Sequence, residues 1–338
     1  MKINLPVFSV LISVFLSCAS KHPSTSQIRE ARIMFYNVEN LFDTSNDPFT
    51  ADDDFTPEGL YHWNRDRYFS KLGKIRKVIM GVGNSEFPAL IGLCEIENKQ
   101  VLKDLINTTY FPNNKYGIIH QDSPDERGID VALLFDKSLF SPIKTEFIPV
   151  IFADGDKTRD ILMINGKLGK EVITIFVNHW SSRRGGVKES EPKRMICAET
   201  INKKIKQISQ ADAQANIIIM GDFNESPADA GISSMLNTEE KDGRISLIDL
   251  GKSVRAKGEG SHIYDGKWSL VDQIFVSPAL QNKTQNSHQM TLHIFKPDWI
   301  QFDHKQWGKI PNRTYVRDKF VDGYSDHFPV YVIIPFLK

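Results

Sequence analysis

Asp222 and Asn224 stand one residue apart at the end of an apolar run, in IIIMGDFNESPAD, Ile217 to Asp229. Asp222 can accept a proton or hold a hard cation. Asn224 can donate to an anionic oxygen without adding charge, and together these are tools of phosphate-ester cleavage. Side chains two apart on an extended chain share a face, so a strand here would deliver both groups together. Taken alone, GDxN is more readily a βα turn in which both side chains only satisfy backbone groups. Other polar residues share the placement at the end of an apolar run. Asn37 ends RIMFYN with Glu39 two residues on, Glu95 ends ALIGLCE, and His179 ends VITIFVNH. Asp272 lies in WSLVDQIFV, and Asp326 and His327 precede the last apolar run in YSDHFPVYVII. A polar group at the end of a buried strand is held rigidly and can open onto a cleft. One such group is ordinarily a satisfied structural residue, but this many of suitable chemistry make a constellation.

The elements that must position them follow from periodicity. Short apolar runs closed by turn residues read as strands at Arg32–Val38, Ala89–Ile96, Tyr116–His120, Ile129–Phe135, Glu146–Phe152, Asp160–Asn165 and Val172–Asn178. Further strands are expected at Ile217–Met220, Ile245–Ile248, Leu270–Val276, Thr291–Phe295 and Val330–Ile334. Helices are expected at Arg65–Val82, with Tyr68, Leu72, Ile75, Val78 and Ile79 on one face, and at Lys99–Ile106 and Glu189–Ile208. Strands outnumber helices and many are joined by short turns, which favours antiparallel sheets over a purely parallel one.

The 338 residues carry no net charge, against a uniformly basic nucleic-acid binder but not against a local basic groove. Three cysteines cannot form a disulfide framework, and Cys94 and Cys197 read as buried thiols. Lys2 and a mostly apolar run, Ile3 to Leu16, precede Ser17-Cys18. That run is short for a membrane span and has the form of a signal peptide. FLSC resembles the bacterial lipobox, which implies lipidation of Cys18. Residues 1–17 are thus expected to be a signal peptide, 18–29 a lipidated cysteine and polar tether, and 30–338 one catalytic domain. The expected location is the bacterial cell envelope, periplasmic or surface-exposed, with ordinary secretion as the alternative.

In order, YNVEN, LCEIEN, VNHW, GDFN, VDQIFV and SDH resemble the endonuclease/exonuclease/phosphatase superfamily over about residues 30 to 336. The resemblance implies a four-layer α/β sandwich, two mixed and largely antiparallel sheets face to face with helices outside. It implies that Glu95 is the main metal carboxylate, with Asn37, Glu39 and Asp326 completing or supporting the site. Asp222 would orient or deprotonate the attacking water. Asn224 and His179 would bind the scissile phosphate, and His327, oriented by Asp272, would contact it. Oxygen ligands without a Cys/His cluster suit Mg²⁺, with Mn²⁺ or Ca²⁺ as alternatives.

Arg183 and Arg184, in HWSSRRGG, and Arg127, in DERGIDVALLF, are candidate substrate-binding residues, since guanidinium forks suit phosphate oxygens. A solvated basic loop is the bland alternative. His262, His293 and His304 have no partner pattern. A catalytic histidine near its ordinary pKa would make the rate sensitive to pH around 6 to 7. The expected function is metal-dependent phosphodiester hydrolysis by direct attack of water, on DNA or RNA, by a monomer brought to the membrane through its lipid anchor. The alternative substrates are a phospholipid, as for sphingomyelinases, or a phosphorylated small molecule. PAWCDR, the inositol-phosphatase signature, is absent and WSLVDQIF stands there instead. A catalytically silent binding protein on this fold should have lost Glu95, Asp222 or His327, and none is lost.

Overall fold

The computed structural model describes residue 1 and residues 28–84, 86–107, 114–236, 243–283 and 289–337. Most of the expected signal peptide, Cys18 and the tether up to residue 27 lie outside them. Among the described residues, no helix is long and apolar enough to cross a membrane.

The first strands in chain order are β1 (Ile28–Leu41), β2 (Leu90–Ile96), β3 (Tyr116–His120), β4 (Asp130–Asp136), β5 (Phe140–Ile148), β6 (Ile161–Leu168), β7 (Glu171–His179), β8 (Asn216–Asp222) and β9 (Ile248–Asp249). They are followed by β10 (His262–Tyr264), β11 (Lys267–Ser269), β12 (Asp272–Val276), β13 (His293–Ile294), β14 (Gln301–His304), β15 (Gly308–Pro311), β16 (Tyr315–Val316), β17 (Lys319–Phe320) and β18 (Val330–Leu337). One six-stranded sheet has the order β13-β18-β1-β2-β4-β3 and the other β5-β6-β7-β8-β12-β9. Among the described residues, β1/β2 and β7/β8 pair in parallel and the other neighbouring pairs within the two sheets are antiparallel. The longer helices are α1 (Arg65–Gly83), α2 (Lys99–Ile106), α3 (Val187–Ala211) and α4 (Ala230–Leu236). The α1 entry is capped by Asn64, which accepts from Arg67 N at 3.1 Å, and its exit by Asn84 at φ 55°.

Period-two alternation divides the apolar residues among three cores. Ile33 and Phe35 of β1, Ile175 and Val177 of β7, Ile218 and Met220 of β8, and Ile274 of β12 pack between the sheets. Met34 and Tyr36 face outward beneath Leu72, Ile75 and Ile79 of α1. Ile217 and Ile219 of β8 and Phe275 of β12 face outward beneath Ala198, Ile201 and Ile205 of α3. The result is the expected helix–sheet–sheet–helix sandwich.

Two strand expectations shift. The strand expected at Glu146–Phe152 is Phe140–Ile148. It is an edge strand whose Ser141 to Thr145 are exposed, so it carries no apolar signal, and Pro142 sits there at a register irregularity. Of Ile245–Ile248, only Ile248 joins the sheet, paired with Val276. The strand β1 also begins two residues inside the expected tether, at Ile28.

Candidate active site

Strand register brings the chemistry to one end of the sandwich. His179 is paired with Asp222 across the parallel β7/β8 ladder, and Asp272 with Asp222 across the antiparallel β8/β12 ladder. Gly221 makes the first pairing possible, because a Cβ there would lie 2.5 Å from the Asn178 carbonyl oxygen. In the facing sheet, Asn37 is paired with Cys94, next to Glu95. Asn37 donates from Nδ2 to Asp222 Oδ2 at 3.0 Å and to Glu95 Oε1 at 3.2 Å, joining the ends of the two sheets.

Glu95 reaches this centre through an irregularity. Leu93 faces the helices and Cys94 the inner core, so strict alternation would turn Glu95 toward the helices. Instead Glu95 adopts φ 62°, and the β2/β4 register slips between Cys94 and Ile96. The opposing β1 backbone bulges too, with Glu39 at φ 52° and Asn40 at φ 53°, and Asn40 N donates to Glu95 Oε2 at 2.8 Å. Left-handed backbone at a non-glycine residue costs about 1 kcal/mol or more, here in exchange for aiming a carboxylate at the site.

The histidines are held in opposite states. His179 is buried, with Nε2 at 3.8 Å from Asp222 Oδ2 and 3.9 Å from Glu95 Oε1. Burial, then the charges of Arg159 and Arg127, hold its pKa well below the ordinary value, so the ring is neutral. Its Nδ1 has no hydrogen-bond partner among the described residues, which places the proton on Nε2, toward the carboxylates. His327 lies with Nδ1 at 2.7 Å from Asp272 Oδ2 and Nε2 at 3.8 Å from Asp222 Oδ2. Burial pulls its pKa down, but the Asp272 carboxylate, with Asp222 and Asp326 behind it, outweighs burial and the net shift is well upward, so the ring is an imidazolium. Burial and then Asp272 push the Asp222 carboxyl up, toward the range of an effective base.

Asn224 lies beyond the strand, which ends at Asp222, so the shared face expected of an extended chain gives way to a turn. At φ 50°, Asn224 folds back, its N–H donating to Asp222 Oδ1 at 2.9 Å and its side chain to the Trp180 carbonyl at 3.2 Å. Glu39 is held by partners other than those of Glu95. Its oxygens accept from Arg313 Nε at 3.3 Å and Thr314 N at 2.6 Å, with Lys71 Nζ at 3.9 Å. It acts as a support, because Arg313 also donates to Asp326 Oδ2 at 3.1 Å. Burial, then the Asp326 charge, push the Glu39 carboxyl up to about 7.

Three residues fit a divalent metal. Burial, then the nearby Asp326 carboxylate, raise the Glu95 pKa, and the hydrogen bonds to Glu95 come from uncharged donors. Glu95 is half-buried and lacks an ion-pair partner as near as the Arg313 that Asp326 has at 3.1 Å, and a carboxylate so placed beside a second one is what a hard cation satisfies. His262, Asp326 and His327 are also close enough to share an ion, as are Asp222, Asp272 and His327. Since His327 is held as an imidazolium and has no lone pair to give an ion, the oxygen donors Glu95 and Asp326, supported by Asn37, are the better set for a hard ion.

The three arginines separate. Arg183 is a brace, donating to the Asn224 carbonyl at 2.6 Å and Asp229 Oδ2 at 2.8 Å. Arg184 is exposed and lines two cavities. Arg127 is 43% exposed, beside Asp125, and its charge acts on both Glu95 and His179. Other residues escaped the sequence reading. Buried Arg159 donates to the His179 carbonyl at 2.9 and 3.1 Å, to the Trp180 carbonyl at 2.6 Å and to Asp125 Oδ2 at 2.8 Å. His262 packs against His327 with ring centroids 4.6 Å apart and planes tilted by 32°. Ser325 donates to the Asn37 carbonyl at 2.7 Å and accepts from His327 N at 3.0 Å. Ser325 could have been found, since it opens the SDH motif. Arg159 and His262 carry no local signal, because their partners are remote in sequence.

Two sheets ending on buried carboxylates, a neutral histidine and an imidazolium define a phosphoester hydrolase of the sandwich type. The chain belongs to the Endonuclease/Exonuclease/phosphatase family, whose model matches residues 32–335. Truncated Caenorhabditis elegans TDP2 is 15% identical, with a TM-score of 0.55 over 90% of this chain and 97% of that one. The human Nocturnin catalytic domain, solved with a bound sulfate anion, is 15% identical with a TM-score of 0.55 over 92% and 98%. A mannosyl-6-phosphatase of Bacteroides thetaiotaomicron is 17% identical with a TM-score of 0.54 over 90% and 99%. At these identities the likeness is one of fold. No curated protein matches the sequence significantly.

Proposed function

We propose that this chain is an extracytoplasmic, Mg²⁺-dependent phosphodiesterase that cleaves nucleic acid by direct attack of water. The observation that carries the reading is the convergence of Asn37, Glu95, His179, Asp222, Asp272 and His327 at one end of the sandwich, with Arg127 and Arg184 beside it. As the oxygen of the attacking water bonds to phosphorus, Asp222 takes its proton, its raised pKa making it a stronger base; the P–O bond opposite breaks, and the leaving oxygen takes up a proton from solvent. His179, neutral, donates from Nε2 to a phosphate oxygen. His327, held as imidazolium by Asp272, stabilises the charge that gathers on the phosphate. The second amide hydrogen of Asn224, which has no partner among the described residues, orients the same group. Glu95 and Asp326 would hold the metal, which supplies charge neutralisation at the phosphate when bound.

The test is a panel of plasmid DNA, RNA, sphingomyelin, a phosphorylated sugar and a generic aryl phosphodiester, each with Mg²⁺ and with EDTA. Nucleic acid should be cut in Mg²⁺ only. Glu95→Gln should lower turnover by about a hundredfold or more, because it removes the charge a hard cation needs and keeps the shape. Preferred hydrolysis of sphingomyelin or the sugar phosphate would replace the nuclease reading, and EDTA-resistant activity with an active Glu95→Gln enzyme would remove the metal.

A further inference from the structure

Behind the loop that follows His179 lies a recess of about 310 Å³, separate from the cavity of about 620 Å³ that contains Asn224 and His262. Arg184 lines both. The recess shares its Arg127 and Arg159 walls with the active centre, where Arg159 holds the His179 carbonyl. Five cationic side chains line it against three carboxylates, so it is net positive. Two of those carboxylates are already paired, Asp125 with Arg159 at 2.8 Å and Asp156 with Lys193. Lys157 and Arg184 have no ion-pair partner among the described residues. Thr158, only 3% exposed, lines the recess with its hydroxyl lacking any hydrogen-bond partner among the described residues. A buried orphan hydroxyl costs about 1–3 kcal/mol unless something occupies the place beside it.

We propose that this recess, with Thr158 on its wall and Arg127, Lys157 and Arg184 around it, holds a second phosphate of the substrate, next to the one being cleaved. The ligand class is the phosphodiester backbone of a nucleic acid. Guanidinium and ammonium groups supply the charge, and the Thr158 hydroxyl supplies a donor that no described protein group uses. The proposal rests on the phosphodiesterase reading above and deepens it. It makes an isolated phosphodiester a poor substrate and a charged strand a good one. Because the contact lies away from the reacting atoms, its effect falls on KM.

A dinucleotide with a single phosphodiester tests it, compared with the same dinucleotide carrying an extra phosphate at its 5′ or its 3′ end. Deoxyribo and ribo forms are run separately, all with Mg²⁺, to distinguish DNA from RNA as the source of the phosphate. One of the phosphorylated forms should raise kcat/KM about tenfold, mostly through KM, a gain of ~1.4 kcal/mol. Lys157→Gln should reduce that gain and Lys157→Glu abolish it, while hydrolysis of the plain dinucleotide stays unchanged. Thr158→Val should reduce the gain too, with thermal stability followed to separate folding from binding. If no extra phosphate raises kcat/KM, or if the gain survives Lys157→Glu, the subsite falls and the phosphodiesterase reading stands. If no dinucleotide is hydrolysed at all, that reading falls and takes the subsite with it.

Discussion

The Asp272 carboxylate meets His327 Nδ1 at 2.7 Å with one oxygen, and its other oxygen has no partner among the described residues. Its one side-chain hydrogen bond among the described residues thus holds the His327 ring and its charge, and its own charge also pushes the Asp222 carboxyl up. His327→Ala should lower kcat by about a hundredfold or more, the usual loss of a preorganised contact. Asp272→Asn should cost less, and the double variant should fall far short of the sum, since the pair acts as a unit. A double-mutant cycle on kcat checks this, with melting curves in parallel; additive losses, or losses that follow stability, would make the pair structural. The pH dependence expected from an ordinary histidine, near 6 to 7, does not survive the structure. His179 lies well below that range and His327 well above it. Neither ring titrates there, so a break in kcat across that interval comes from the raised carboxyls, Glu39 at about 7 and the base Asp222, and kcat should fall at alkaline pH as His327 loses its proton. The sign for stability is the same. Its folded pKa is raised, so its contribution is complete below the unfolded value of about 6.5 and is lost as pH rises through the folded value. A kcat profile from pH 5.5 to 9, roughly, checks the shape, and a break near 6 to 7 that vanishes in His179→Gln would count against it.

Between the elements, one buried ion pair fixes the loop that carries Arg183 and Arg184. Arg194 of α3 donates to Glu225 Oε1 at 2.8 Å, to Ser190 Oγ at 2.6 Å and to the Val187 carbonyl at 2.8 Å. Glu225 Oε2 in turn accepts from Ile232 N of α4 at 3.0 Å. The pair thus locks the first turns of α3 to the segment joining β8 and α4. Arg194→Met leaves Glu225 buried and uncompensated, and should destabilise the protein by about 3–5 kcal/mol. Adding Glu225→Gln should recover part of that loss, because the stranded charge is gone. Urea unfolding of the single and double variants decides it; a loss below about 1 kcal/mol for Arg194→Met would mean that the helix is anchored by apolar packing alone.

For the whole molecule, we propose that Cys18 is the lipidated first residue of the mature chain and that the tether reaches from it to β1. The apolar run Ile3 to Leu16 and the polar residues after Cys18 motivate the proposal. Mass spectrometry of the membrane fraction should find diacylglyceryl-Cys18 as the N-terminus, and Cys18→Ser should release the protein from the membrane. A free Cys18 thiol in the exported protein would be the contrary result.

Alternation along single strands made much of this legible beforehand. Asn37 continues the inward series Ile33, Phe35; His179 continues Ile175, Val177; Asp222 continues Ile218, Met220; Asp272 begins the series that runs through Ile274. A local rule of period two sufficed because these residues end or begin regular strands, where the backbone fixes side-chain direction. Glu95 breaks the rule, because its direction comes from a left-handed backbone and a register slip that no alternation encodes. The inward strand β7 was visible because it is apolar, and the edge strand β5 was misplaced because it is polar and exposed. The protonation states of His179 and His327 were also beyond the sequence, which holds both as the same residue type. Burial beside Arg159 and contact with Asp272 decide them, and both neighbours arrive through folding from 20 and 55 residues away.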